Sequence, residues 1–292
     1  MRNWIMSTAG RWATHRDVAS AATRPATANA PSTSGARAQR IWRDALFVVT
    51  GLLLIFAAAE AAILAQKAAS LNWVPLGVDY QQVMGSARHW LATGDLYRPD
   101  QLAGPFDLAD GSGPPMYPPT AFALFMPFTF LPAFAWWALP AVLMGFALAK
   151  HRPGAWTWPI MAACLAFPRS LEMIEYGQPS IWIAGLVAAG TVWGWPAVLV
   201  VLKPTLAPFA LIGIRTPSWW IAAVLLALAS LLLLPYWIEY VTVARNARAD
   251  LLWSLRDVPL VAIPLVAWVG RRRGRGRSSL LRATAGRKTA TM

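Results

Sequence analysis

The feature that most constrains this chain is a series of apolar runs set between two basic ends. The first run, Ala45 to Ala65, follows Arg40 and Arg43 and holds a single charge, Glu60. About 20 apolar residues suffice for a helix to cross the hydrocarbon core of a bilayer, and fewer where the helix is buried in protein. Further runs cover Thr120–Leu131, Ala133–Ala149 and residues 155–168, 179–195, 196–214, 218–235 and 258–270. With 57% hydrophobic and 13% charged residues, the chain lies outside the usual range of soluble domains. Its 17 Trp add the aromatic load expected at membrane interfaces. A soluble enzyme, a nucleic-acid-binding domain and a disulfide scaffold all fit this composition poorly.

The net charge of +13 has an uneven distribution. Residues 1–40 carry six Arg and one Asp, and residues 270–292 carry seven Arg and one Lys with no acid. The body between them, 41–269, balances 12 basic against 12 acidic residues. Basic ends around a neutral apolar body place both termini in the cytoplasm under the positive-inside rule. The expected organisation is a disordered basic tail over 1–40, a membrane-embedded domain over 41–269 and a second basic tail over 270–292. Such tails are drawn to anionic lipid headgroups rather than to nucleic acid. The first apolar run starts only near Ala45, so no secretory signal is expected. One cysteine, Cys164, permits no internal disulfide, and three His without a Cys/His cluster argue against a metal site.

Residues 66–117 form the longest polar stretch and are read as an outer loop. Within it, Tyr80, Val83, Met84, Ala87, Trp90 and Leu91 recur at helical spacing, with Arg88 and His89 toward the other face. That pattern predicts an amphipathic helix along the membrane surface, closed by Gly94. Gly104 to Pro119 reads as loop. Thr120–Leu131 is short for a crossing and reads as re-entrant or interfacial. Lys203-Pro204 interrupts 196–214. A single span there would put Arg215 and the basic C-terminal tail outside, so two half-helices meeting at Lys203-Pro204 are expected. Arg169, Glu172 and Glu175 fall in an outer connection, and 236–257 is a second outer segment. The expected fold is all-α: a polytopic integral membrane protein with about six full spans plus re-entrant or half-helices.

Several short motifs follow in order: Asp79-Tyr80, Gly94-Asp95-Leu96-Tyr97, Tyr117-Pro118-Pro119, Leu131-Pro132, Gly177-Gln178 and Lys203-Pro204. Together they resemble the pattern of glycosyltransferase family 87, GT-C-type mannosyltransferases that use a polyprenyl-phosphate sugar. The resemblance covers roughly 45–257. It implies a GT-C-like fold in the cell (inner or plasma) membrane. It also implies an inverting hexosyltransferase that moves mannose or a related hexose to a lipid or glycan acceptor on the outer face. The donor is a substrate, and no cofactor is implied. Family members usually continue with several more spans where this sequence turns basic, so a partner or a reduced site would take over the donor contacts placed there.

In the family an Asp in the first outer loop is the proposed base, and Asp79 matches it. Inverting transfer needs a carboxylate within hydrogen-bond reach of the acceptor hydroxyl, to take its proton during attack on the anomeric carbon. The alternative is that Asp79, with Gln82 three residues on, forms a capping box. Lys203 lies within an apolar segment, which is costly unless it faces a cavity or a partner. A donor phosphate is one partner. A structural carboxylate, Glu60 among them, is another. Arg169 is a second candidate for the phosphate. Tyr80, Tyr97, Tyr117 and Gln178 are candidates for substrate binding or for shaping the loop. Two other classes remain open: a lipid or solute transporter, and a shortened, non-catalytic relative acting as a membrane partner.

Overall fold

The 23 Pro and 20 Gly of this sequence cut its apolar runs into short pieces. A computed structural model describes residues 33–71, 77–107, 116–248 and 255–271. The chain divides at Arg40 into two units. The described part of the first is the opening of helix α1. Everything else belongs to the second.

Helix α1 runs Thr33–Leu71, beginning inside the segment assigned to the basic tail and passing through the first apolar run. Helix α2, Val78–Thr93, is the amphipathic helix expected from the 66–117 stretch. It buries Val83, Met84 and Ala87, leaves Arg88 and His89 exposed, and ends at Gly94 with φ +83°. A short helix α3, Pro99–Ala103, and a two-residue strand β1, Phe106–Asp107, follow. Helix α4 covers only Pro119–Phe125 and passes into a 3-10 turn, Met126–Thr129, as the shortness of that run suggested. Then come α5 (Ala135–His151), α6 (Thr157–Ala166), α7 (Pro168–Tyr176) and α8 (Ser180–Trp193).

The segment after α8 is broken where the sequence indicated. One 3-10 helix spans Trp195–Leu202 and another Pro204–Gly213, with Lys203 extended between them (φ −115°, ψ 91°). They pack against each other as a hairpin. A Cβ on Gly213 would strike the Gly194 carbonyl, so the two feet of the hairpin touch. Helices α9 (Pro217–Leu232) and α10 (Leu234–Asn246) meet at 85°. Strand β2, Ala247–Arg248, pairs in parallel with β1. Helix α11, Val258–Val269, closes the described chain.

The described residues are all-α apart from the β1–β2 pair, and the expectation of six full spans is not met among them. Among the described residues only α1 is long and apolar enough to cross a membrane, or two elements if the bent α9–α10 pair counts as one. Five of the other runs became α-helices of 10 to 17 residues, while Thr120–Leu131 and 196–214 gave shorter or 3-10 elements. At about 1.5 Å per residue even α5 reaches only about 25 Å. Pro and Gly end each helix early: Pro153 follows α5, Pro168 ends the α6 run and Gly194 caps α8.

These short helices pack around one another. α8 is buried along most of its length against α5, α11 and the hairpin. Trp136 of α5, fully buried, sits among Tyr80, Phe125, Phe128 and Trp182, with ring centroids 5.0–5.7 Å away. The bundle has two distinct ends. The C-terminus of α5 meets that of α11 through the Gly154 N–H donating to the Gly270 carbonyl at 2.9 Å, and His151 bonds Thr191 of α8 at 2.8 Å. Lys150, His151, Arg152 and Arg271 cluster at this end. The opposite end gathers the starts of α2, α5, α8 and α11 with the hairpin tip.

Candidate functional site

At that opposite end, four segments far apart in sequence bring polar side chains together. Helix α2 begins at Gly77, whose N–H donates to the Glu175 carbonyl at 2.9 Å, fastening α2 to the end of α7. The α7–α8 turn is fixed by two indoles of α5. Trp136 Nε1 donates to the Gly177 carbonyl and Trp137 Nε1 to that of Ile174, each at 2.7 Å. Tyr80 packs on both rings. Asp79, its neighbour, is thereby set at the edge of the cluster.

Asp79 is not a helix cap. Gly77 occupies the N-cap position, in the left-handed region that suits glycine, and no side chain caps the helix. The capping-box reading therefore falls. Asp79 lies in the first turn, where the helix dipole favours a carboxylate. It is half-buried. Burial pushes its carboxyl above the ordinary aspartate range, opposed by the positive charges of Arg169 and then Lys203, while Asp257 adds to the rise.

Lys203 stands at the hairpin tip with its side chain 12% exposed. Its partner is Asp257, 2.5 Å from Nζ, and not Glu60. Nζ also donates to Ser180 Oγ, which donates in turn to Asp257 Oδ2 at 2.8 Å. Asp257 sits at the start of α11 and Ser180 at the start of α8, both buried. Two helix N-termini and an ammonium thus surround one carboxylate, which electrostatically suits its negative charge. The other oxygen, Oδ1, lies 3.5 Å from Arg169 Nε.

Arg169, Glu172 and Glu175 occupy a helix, α7, where the sequence reading placed a connection. Arg169 is 15% exposed and also pairs with Glu172, NH1 to Oε2 at 3.1 Å. The structure brings Asp79, Arg169 and Lys203 into one electrostatic cluster and adds Asp257 and Ser180, which sequence reasoning missed. The available signal was indirect. A lysine in an apolar run demands a carboxylate, and Asp257 stands immediately before the last apolar run.

The remaining candidates divide. Tyr117 packs edge-on against Phe122 and Phe125, and its phenol is held up by burial and by the negative charges of Asp79 and Asp257. Its backbone carbonyl accepts from the Tyr97 hydroxyl at 2.8 Å. Tyr97 is buried away from the cluster beside Tyr240 and shapes the loop. Gln178 lies in the α7–α8 turn, its N–H donating to the Met173 carbonyl at 2.9 Å, and its buried Oε1 has no hydrogen-bond partner. Among the described residues no group of three His, Cys, Asp or Glu side chains is arranged to hold a metal. Comparison with known protein families, with curated proteins and with solved structures gives no match.

Proposed function

We propose that this chain is a membrane-embedded, GT-C-like glycosyltransferase. It moves a hexose, mannose or a relative, from a polyprenyl-phosphate donor to a lipid or glycan acceptor on the outer face of the cell membrane. The observation that carries the reading is the convergence of Asp79, Arg169 and Lys203 from α2, α7 and the hairpin tip. A half-buried carboxylate within electrostatic reach of two cations has the parts that inverting transfer from a phosphate requires. The acceptor oxygen attacks the anomeric carbon as Asp79 takes its proton. The bond from that carbon to the phosphate oxygen breaks, its electron pair leaves with the phosphate, and Arg169 stabilises the growing charge. Both cations pair with Asp257, Lys203 at 2.5 Å and Arg169 at 3.5 Å, so the phosphate contact is assigned to the more loosely held Arg169 and Lys203 holds the hairpin tip.

Membrane embedding is supported by large apolar side chains on the surface. Ile41, Phe47, Val48, Leu52 and Ile55 line α1, and Trp220, Ile221, Val224, Leu225, Leu228 and Leu232 line α9. Apolar exposure on this scale marks a lipid or protein contact. The basic end formed by Lys150, Arg152 and Arg271 supports a cytoplasmic placement for that end and an outward one for Asp79.

The test is transfer of labelled mannose from polyprenyl-phosphate-mannose in membranes carrying wild type or Asp79→Asn. The expected outcome is a labelled lipid or glycan with wild type and a loss of about a hundredfold or more in the variant. Equal labelling by both removes Asp79 as the base. No labelling above empty membranes by wild type moves the shortened-partner reading to the front.

A further inference from the structure

Asp257 has no part in the transfer chemistry above, yet it is the most buried charge of the cluster, 1% exposed. Its two oxygens have different surroundings. Oδ2 is saturated by Lys203 Nζ and Ser180 Oγ, which tie it to the hairpin tip and the start of α8. Oδ1 is buried, makes no hydrogen bond and faces Arg169 Nε across 3.5 Å. A buried carboxylate oxygen left without a hydrogen bond is expensive, so its orientation toward the guanidinium needs a reason. The ion pair supplies one: Arg169 is itself only 15% exposed, and Oδ1 fixes its guanidinium from across the bundle.

We propose that Asp257 is a positioning residue for the donor phosphate: anchored through Oδ2 by Lys203 and Ser180, it holds the Arg169 guanidinium through Oδ1 where the phosphate is bound. The inference rests on the transferase reading, and Asp257 itself touches neither sugar nor phosphate. Arg169 is fixed from two sides, by Glu172 on its own helix and by Asp257 across the bundle. Asp257 links its position to the hairpin and to α11.

The experiment is a double-variant cycle on the full chain in detergent micelles. Affinity for farnesyl phosphate is read by tryptophan fluorescence, and donor and acceptor KM are read with polyprenyl-phosphate-mannose. Asp257→Asn is expected to weaken farnesyl phosphate binding about tenfold and raise donor KM alike, with acceptor KM unchanged. Arg169→Gln is expected to do at least as much. The double variant should bind no more weakly than Arg169→Gln alone, because Asp257 acts through Arg169. If Asp257→Asn strands the Lys203 charge and does not fold, Asp257→Asn with Lys203→Met replaces it in the same cycle. Binding equal to wild type, multiplicative losses in the double variant, or equal rises in donor and acceptor KM each overturn the positioning role and leave the transferase reading standing. A wild-type chain that neither binds farnesyl phosphate nor transfers label overturns both.

Discussion

At the scale of single residues, Asp79 carries two opposed demands. Desolvation disfavours its ionised form, and the base proposed here must be ionised to work. Its carboxyl is held above the ordinary aspartate range, with Arg169 and Lys203 limiting the rise. The acid limb of kcat/KM is therefore expected above the pH at which a solvated aspartate titrates, and Arg169→Gln should move that limb to higher pH still. The stability consequence has a definite sign. A group whose folded pKa is raised contributes stability below its unfolded pKa and loses it as pH rises through the folded value. Asp79→Asn removes that loss, so the inactive variant should melt above wild type at neutral pH and converge with it in acid. Thermal unfolding in detergent across pH checks this, and a variant that melts lower at every pH would contradict it. Lys203 was legible in the sequence because a charge inside an apolar run is conspicuous. Its partner was not, because Asp257 looks like any polar residue before a helix. Only the folding of α11 against α8 brings the two within 2.5 Å.

At the scale of elements, the α7–α8 turn joins the site to the core. Gly177 has φ +66°, and a Cβ there would lie 2.7 Å from Trp137 Cζ2 and 2.9 Å from Tyr80 Cβ. Gly177→Ala combines a left-handed backbone with overpacking, and a loss of about 2–4 kcal/mol is expected. Because Tyr80 is the residue displaced, transfer activity should fall in whatever fraction remains folded. Gly85→Ala is the control. It lies on an exposed position of α2 with nothing within 4 Å, and should leave the melting temperature level or slightly raised. Equal melting temperatures for the two variants would show that the turn does not carry this load. The Gly177-Gln178 pair stood out in the sequence, but its partners lie about 40 and 97 residues away along the chain, out of reach of any local pattern. The hairpin break was legible because proline, lysine and the requirement to keep both flanks on one side all agreed at Lys203-Pro204. Helix lengths were not. Hydropathy marks where a segment is apolar, whereas Pro and Gly decide where its hydrogen bonding stops.

At the scale of the whole molecule, the apolar content of the described residues is divided between a packed interior and exposed apolar faces, which the proposed membrane setting would cover with lipid. α8 and α11 are short and mostly buried, while α1 and α9 carry large side chains outward. A helix shielded by protein need not match the bilayer thickness by itself, so 10- to 17-residue helices are compatible with the proposed membrane setting. Polarity also runs along the bundle. Asp79, Glu172, Glu175 and Asp257 lie toward one end, and Lys150, Arg152 and Arg271 toward the other. Arg169 and Lys203 share the first end with these carboxylates, so the second is the more basic, and in the proposed membrane setting the positive-inside rule turns it inward and Asp79 outward. The orientation is testable because the sequence has one cysteine. In a Cys164→Ala background, Arg88→Cys on the exposed face of α2 should react with a membrane-impermeant thiol reagent in intact cells. Lys150→Cys, exposed at the end of α5, should react only after permeabilisation. The reverse labelling would place Asp79 on the cytoplasmic side and remove an outer-face acceptor from consideration. Release of the chain by alkaline carbonate would remove the membrane setting itself, because apolar faces as large as those of α1 and α9 would then have to be covered by another protein.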